Sequence, residues 1–291
     1  MNITSKTKMY CIFGNPAKHS LSPSMHNRAF QAQNIDAVYL AFEPTSIKEA
    51  LAAMKNLAIQ GASITIPFKI DVLQYIDKID ELASDIGSVN TLVNRQGIIW
   101  GYNTDGYGAL MALQKVHPVL EKARILILGN GGSARAIAFT LLLQGASITL
   151  AGRDISRVSM LAKDLMKKYN DISIISLDEI TREYMADIDI IINTTSVGMS
   201  PNTDNTPLRE NVLHAGHTVF DIVYTPDMTR LLTEATGRGC NVIKGIEMLL
   251  YQGIKQYELW TEMQAPLEIM REALKDALQN RTASISDTAQ P

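Results

Sequence analysis

The sequence predicts an α/β protein of two domains, each built on a mainly parallel sheet. Three observations carry that prediction. Apolar, β-branched runs alternate with helical patterns along the whole chain, as parallel strands joined by crossover helices require. A glycine-rich turn near residue 129 lies between a short apolar run and an Ala/Leu-rich helix. The length, 291 residues, is enough for one large domain or two of ordinary size.

In the first third, strands are expected at about 8–13 (KMYCIF), 37–42 (AVYLAF), 61–66 (GASITI), 89–93 (VNTLV) and 98–102 (IIWGY). Helices are expected to begin near Ser22, Thr45 and Glu81, and another to run from about Asp105 to Val116, followed by the connector HPVLEKA. Residues 123–154, ARILILGNGGSARAIAFTLLLQGASITLAGRD, read as strand, turn, helix, strand. Further strands fall at 172–175, 188–192, 218–223 and 240–243. From Gly245 a helical pattern, interrupted by Pro266, runs to about Leu278. Residues 280–291 are small and polar, too poor in apolar surface to offset the entropy of ordering, and are expected to be disordered.

The composition, 46% hydrophobic and 20% charged, is that of a globular protein. A formal net charge of −3 gives no electrostatic reason to expect nucleic acid or an anionic membrane as partner. Cys11 and Cys240 are too far apart to form a metal-spacing motif and lie in apolar strand-like runs, so they read as buried free thiols of a reducing compartment. No metal site is expected. The N-terminus MNITSKTKMY lacks a secretory apolar core, and AIAFTLLL, following Arg135, is too short to span a membrane. A cytoplasmic location is the expectation.

GNGGSA places Gly129, Gly131 and Ala134 in the three positions of G-x-G-x-x-A. The first glycine permits a tight turn and the second lets backbone approach a pyrophosphate. The small third residue lets helix and strand pack closely. The helix N-terminus then offers unpaired N–H groups and partial positive charge. The end of the next strand discriminates between dinucleotides: an acid there suits the ribose 2′-OH of NAD, an arginine the 2′-phosphate of NADP. AGRDISR contains both, in Arg153, Asp154 and Arg157; two arginines favour NADP, and Asp154 leaves NAD open.

In the first domain, GNPAKHSLSPSMHN puts Ser20 and Ser22 before a helix, Ser22 as its expected N-cap and Pro23 at its first position. Two hydroxyls beside a helix N-terminus also make a carboxylate site. In GYNTDG, Thr104 or Asp105 is either a cap or, for Asp105, a catalytic carboxylate at a strand–helix junction. In GASITIPFK, Pro67 ends a buried strand and Lys69 stands just beyond it, where α/β proteins bind ligands. Alone, Lys69 reads as a solvated loop charge.

Together HSLSPSMHN, SITIPFK, GSVNTL, GYNTDG, GNGGSARA, NTTSVGM, FDIVYTP and GIEMLLYQG closely resemble the shikimate dehydrogenase family, in family order from about residue 10 to 262. The resemblance implies an N-terminal substrate domain (1–104, completed by helices within 246–279), a connecting helix and linker (105–122) and a C-terminal Rossmann domain (123–245). It implies NADP-linked, reversible reduction of 3-dehydroshikimate to shikimate, by a monomer or homodimer. Ser20 and Ser22 then match the hydroxyls that hold the substrate carboxylate, and Thr65, Asn90, Asp105, Tyr224 and Gln252 the other substrate contacts. Lys69 and Asp105 match the catalytic pair. Gly129, Asn130, Gly131, Gly132 and Ser133 match the pyrophosphate turn, Arg153 and Arg157 the adenosine-phosphate clamp, and Ile222 and Gly245 the nicotinamide side. Gly152-Arg153-Asp154 departs from the Asn-Arg-Thr common in NADP-using members, which keeps a quinate/shikimate dehydrogenase using NAD as the rival. A remoter rival is a non-catalytic nucleotide sensor. A folate-linked or amino-acid dehydrogenase leaves the paired serines and GYNTDG unexplained.

Overall fold

The computed structural model of this chain describes residues 3–288. The chain divides into two compact units, Met1–Thr104 with Gln252–Pro291, and Asp105–Tyr251.

The first unit contains β1 (Lys8–Phe13), α1 (Ser22–Ala32), β2 (Ala37–Phe42), α2 (Ile47–Asn56), β3 (Gly61–Ile64), β4 (Lys78–Ile79), α3 (Glu81–Ile86), β5 (Thr91–Arg95) and β6 (Ile98–Tyr102). Its six strands lie in the order β2-β1-β3-β5-β6-β4. β1 pairs in parallel with β2 and β3, and β4 with β6, whereas β5 is antiparallel to β3 and β6. Gln96 and Gly97, both at positive φ, turn β5 into β6 and set the register from Arg95↔Ile98 to Thr91↔Tyr102. The strand expected at 89–93 begins at Thr91, and Asn90 just ahead of it still bonds both neighbours, its N–H donating to Tyr102 O (3.1 Å) and its carbonyl accepting from Ile64 N (2.7 Å). β3 stops at Ile64, before the expected 66, because the Phe68 N–H already turns back to Thr65 O. Ser46 and Asp80 cap α2 and α3, each accepting backbone N–H groups of the first turn. Cys11, Phe13, Leu51, Met54, Ile64, Phe68, Leu92 and Ile99 form the core between sheet and helices.

The second unit contains α4 (Asp105–Gln114), β7 (Arg124–Leu128), α5 (Gly132–Leu143), β8 (Ser147–Gly152), α6 (Ile155–Leu165), β9 (Ile172–Ser176), α7 (Arg182–Met185), β10 (Ile190–Asn193), β11 (Thr218–Asp221), α8 (Arg230–Gly237) and β12 (Asn241–Ile243). The order β12-β11-β10-β7-β8-β9 is parallel throughout. Runs such as RILIL and IIIN suit strands buried on both faces. The order reverses direction between β7 and β10, and a doubly wound sheet has its ligand crevice at the carboxyl ends of the strands flanking that point.

α9 (Gly245–Thr261) carries the chain back into the first unit at Gln252, and α10 (Leu267–Thr288) follows. α10 continues past Leu278, where the sequence pattern ended it; of the stretch 280–291, residues 289–291 lie outside the described residues. Both cysteines are free. Cys11 is buried, but Cys240 is only partly so, its thiol donating to His214 O at 3.1 Å. Among the described residues, no helix is long and apolar enough to cross a membrane, and no group of three or more His, Cys, Asp or Glu is placed to hold a metal ion.

Candidate active-site residues

One edge of the first sheet gathers the polar residues singled out from the sequence. β1, β3 and β6 end there, and β5, being antiparallel, begins there. The loop after β1 carries Ser20, whose hydroxyl accepts the Ser22 N–H at 3.2 Å. Ser22 is thus the first helical residue rather than the expected N-cap, and Pro23 follows it one position later than expected. The cause is that Leu21 already has helical dihedrals, which starts the helix a residue early. Ser22 is buried and Ser20 half-buried. The Glu43 carboxylate, just past β2, accepts the N–H groups of Ala17 (2.7 Å) and Lys18 (2.9 Å) and pins this loop. Those bonds hold the carboxyl below the usual carboxylate range. Gly14 completes the fit, since a Cβ there would lie 2.1 Å from Thr65 Cγ2.

Thr65 follows β3 directly, its N–H donating to Phe13 O (3.0 Å). Phe68 enters the core while Lys69, half-buried, is fixed through its carbonyl, which accepts the Val89 N–H at 2.8 Å. The lysine backbone is therefore anchored between β3 and β5 rather than hanging on a free loop. Asn90 is 2% exposed; its Oδ1 accepts from Thr104 N (2.8 Å) and Thr91 Oγ1 (2.8 Å) and its Nδ2 donates to Thr104 Oγ1 (3.0 Å). Gln252, on α9, brings Oε1 to 3.5 Å from the same Nδ2. Thr104 thus serves Asn90. Gln256, absent from the sequence expectations, ties α9 to this edge: its Nε2 donates to Asn90 O and Thr91 Oγ1, and its Oε1 accepts from Ser63 Oγ.

In the second unit the glycine turn follows β7 at the reversal of strand order. Gly129 has φ +120°, and a Cβ on it would lie 2.5 Å from Thr194 Oγ1 after β10. Gly131 is the N-cap of α5 with φ −82° and ψ −173°, ordinary for any residue, and a Cβ there would meet nothing within 4 Å. The fold requires glycine at 129; at 131 it leaves open space beside the start of α5. Gly132 and Ser133 open α5, with Asn130 ahead of them. The Ser133 hydroxyl donates to Asp105 Oδ2 at 3.3 Å, so it faces the first turn of α4. Asp105 is 4% exposed and is the first residue of α4, which packs on α5 at Gly106, where a Cβ would lie 2.0 Å from Thr140 Oγ1.

At the end of β8, Asp154 is the N-cap of α6, accepting from Ser156 N (3.1 Å) and Arg157 N (3.2 Å). Its other oxygen lies 3.4 Å from Arg157 Nε. The acid caps the helix start and pairs with Arg157, while Arg153, just past β8, and Arg157, in the first turn of α6, are both exposed. Ile222 and Tyr224 lie half-buried on the loop after β11. Gly245 touches that loop: a Cβ would stand 2.5 Å from Ile222 O and Val223 O. Sequence reasoning passed over Asn193 and Asp221, although both sit at strand ends inside the quoted NTTSVGM and FDIVYTP segments.

Residues 12–92 match the shikimate dehydrogenase substrate binding domain, 111–229 the shikimate / quinate 5-dehydrogenase domain and 245–275 the shikimate 5′-dehydrogenase C-terminal domain. The chain is 43% identical over 282 residues to the shikimate dehydrogenase (NADP(+)) of Methanosarcina acetivorans, covering 94% of this chain and 99% of that protein. Among solved structures it is similar to a shikimate dehydrogenase in complex with NADP+ (TM-score 0.90, 38% identity, 95% of this chain and 98% of the other). It is also similar to the Thermus thermophilus shikimate 5-dehydrogenase in complex with NADP(H) and shikimate (TM-score 0.83, 31% identity, 93% and 100%).

Proposed function

The chain belongs to the shikimate dehydrogenase family, and on that premise we propose that it catalyses the reversible NADPH-dependent reduction of 3-dehydroshikimate to shikimate in the cytoplasm. The observation that carries this reading is the pair of prepared edges, one per unit. One edge combines a pinned double-serine loop with Asn90, Gln252 and Lys69. The other combines the glycine turn with two exposed arginines. Neutral hydroxyl and amide donors suit a polyhydroxylated acid better than an apolar pocket does.

NADPH supplies the hydride. Charge then builds on the C3 oxygen of the ketone, and a cation or acid at that oxygen lowers the barrier. Lys69, its backbone fixed by Val89, fills that role in our reading, with Asp105 as its partner and orienter of the substrate hydroxyl. Ser20 and Ser22 hold the carboxylate, and Thr65, Asn90, Tyr224 and Gln252 the ring hydroxyls. Gly129 through Ser133 receive the pyrophosphate, and Arg153 and Arg157 the 2′-phosphate. The engagement of Asp154 with α6 and Arg157 supports NADP over NAD, because that carboxylate is directed at the helix start.

The test is a side-by-side measurement of NADP and NAD reduction with shikimate and with quinate. Shikimate with NADP is expected to dominate. Equal activity on quinate with NAD would favour the rival enzyme, and no turnover of any combination would favour the nucleotide sensor.

A further inference from the structure

Asn193 and Asp221 are register partners at the carboxyl ends of β10 and β11, and both are 0% exposed. Asn193 Nδ2 donates to Asp221 Oδ1 (2.9 Å) and to Val197 O (3.3 Å), while its Oδ1 accepts from Thr195 N (3.0 Å) and Thr195 Oγ1 (2.7 Å). Asp221 Oδ1 also accepts from Val223 N (3.0 Å), and Oδ2 from Thr229 Oγ1 (2.7 Å), the N-cap of α8. Four side chains therefore join the loop after β10 (194–200) to the loop after β11 (222–229). Two backbone bonds reinforce the seam: Ile222 N to Asn193 O (3.1 Å) and Ser200 N to Thr225 O (3.0 Å).

All three donors to Asp221 are neutral, and burial raises its carboxyl from 3.8 to about 6. The charged groups of adjoining segments are neutralised elsewhere, Asp227 by Lys244 and Arg230 by Glu234. A buried carboxylate without a cation is a costly way to fasten two loops if fastening were all it did. What it fastens is specific. Val223, held by Asp221, lies between Ile222 and Tyr224, and Gly245 is packed so closely on the carbonyls of Ile222 and Val223 that a Cβ there would stand 2.5 Å from each.

We propose that Asp221, braced by Asn193, is a positioning residue for the nicotinamide half of the cofactor: it sets the height of the Ile222–Tyr224 backbone against the glycine turn. This rests on the dinucleotide reading of the second unit. The glycine turn is tied to the same β10 loop by a bond that does not involve Asp221, Thr194 Oγ1 donating to Leu128 O (2.6 Å), so the turn keeps this support when Asp221 is changed.

That separation supplies the test. NADP+ and its fragment 2′-phospho-ADP-ribose, which lacks the nicotinamide, are titrated calorimetrically into wild type, Asp221→Asn, Asp221→Ala and Thr229→Val. NADP+ should bind about fivefold more weakly to Asp221→Asn, which loses one acceptor, and on the order of a hundredfold more weakly to Asp221→Ala, which loses all three bonds at about fivefold each. The fragment should bind all of them alike. Thr229→Val leaves the carboxylate in place and removes one donor, so it gives a smaller loss of the same kind should Asp221→Ala not fold. Parallel weakening of NADP+ and fragment, or no weakening of either, overturns the positioning role. Wild type that binds neither molecule overturns the dinucleotide reading itself, and this inference with it.

Discussion

Gly129→Ala and Gly131→Ala alter two glycines of one turn, yet the structure assigns them opposite failures. At 129 an alanine must adopt φ +120° and bring its Cβ to 2.5 Å from Thr194 Oγ1 and 3.2 Å from Thr195 Cγ2. Backbone strain of that kind costs about 1–3 kcal/mol. Displacing Thr194 also sacrifices its hydrogen bond to Leu128 O, about 1 kcal/mol. A loss of about 3 kcal/mol lowers the melting temperature by about 6–12 °C for a unit of this size. At 131 the backbone is already ordinary and the added methyl meets no atom within 4 Å. Glycine's advantage over alanine as an N-cap, about 0.5–1 kcal/mol, is offset by the stiffer unfolded chain, about 0.4–1 kcal/mol. Gly131→Ala should therefore melt within about 2 °C of wild type but bind NADP at least about tenfold more weakly, because the methyl occupies the approach of the pyrophosphate. Thermal melts by circular dichroism and calorimetric NADP titration measure both quantities. A Gly131→Ala protein that melts as low as Gly129→Ala, or that binds NADP normally, refutes the reasoning.

Three further outcomes are expected. Lys69→Ala should lower kcat roughly a hundredfold or more while KM for shikimate moves less than about threefold; an unchanged kcat in steady-state assays removes Lys69 from the catalytic pair. Asp154→Asn, which keeps the cap, should leave stability within about 0.5 kcal/mol and raise the preference for NADP over NAD, measured as the ratio of the two kcat/KM values; a fall in that ratio contradicts the orientation of Asp154. His26 is wholly buried against Tyr39, Trp260 and Phe30, and burial, outweighing an opposing contact with Gln256, pushes its pKa down to about 3. Its folded-state pKa lies below the unfolded 6.5, so the stability it contributes is complete above 6.5 and drains away as pH falls towards 3. His26→Phe should flatten the decline in melting temperature between pH 7 and pH 4, and a decline as steep as in wild type would disprove that account.

Element positions in the first sheet were readable because periodicity and turn residues act locally: KMYCIF and AVYLAF coincide with β1 and β2. The direction of β5 was not readable from its own residues, since VNTLV pairs equally well either way; the Gln96–Gly97 turn carried that information. The glycine turn announced itself because its chemistry is contiguous. Ser22 misled because Ser-Pro at a helix start fits an N-cap at either of two registers, and the Leu21 dihedral decided. Glu43, Gln256 and Asp221 went unseen for one shared reason. Each acts on backbone or side chains brought near by the sheet, and Gln256 bonds Asn90 across 166 positions.

The first unit is interrupted by the whole of the second, and this governs the order in which the polypeptide acquires structure as it is synthesised. Trp260 Nε1 donates to Leu92 O and its ring fills the space where a Cβ at Gly61 would stand, while Tyr257 OH donates to Gln33 Oε1. Neither Trp260 nor Tyr257 exists until the ribosome has passed residue 251, by which time the second unit, Asp105–Tyr251, is fully translated. The first 104 residues to emerge must wait with Gly61 and Leu92 uncovered, and the first-made half of the enzyme is the last to be sealed.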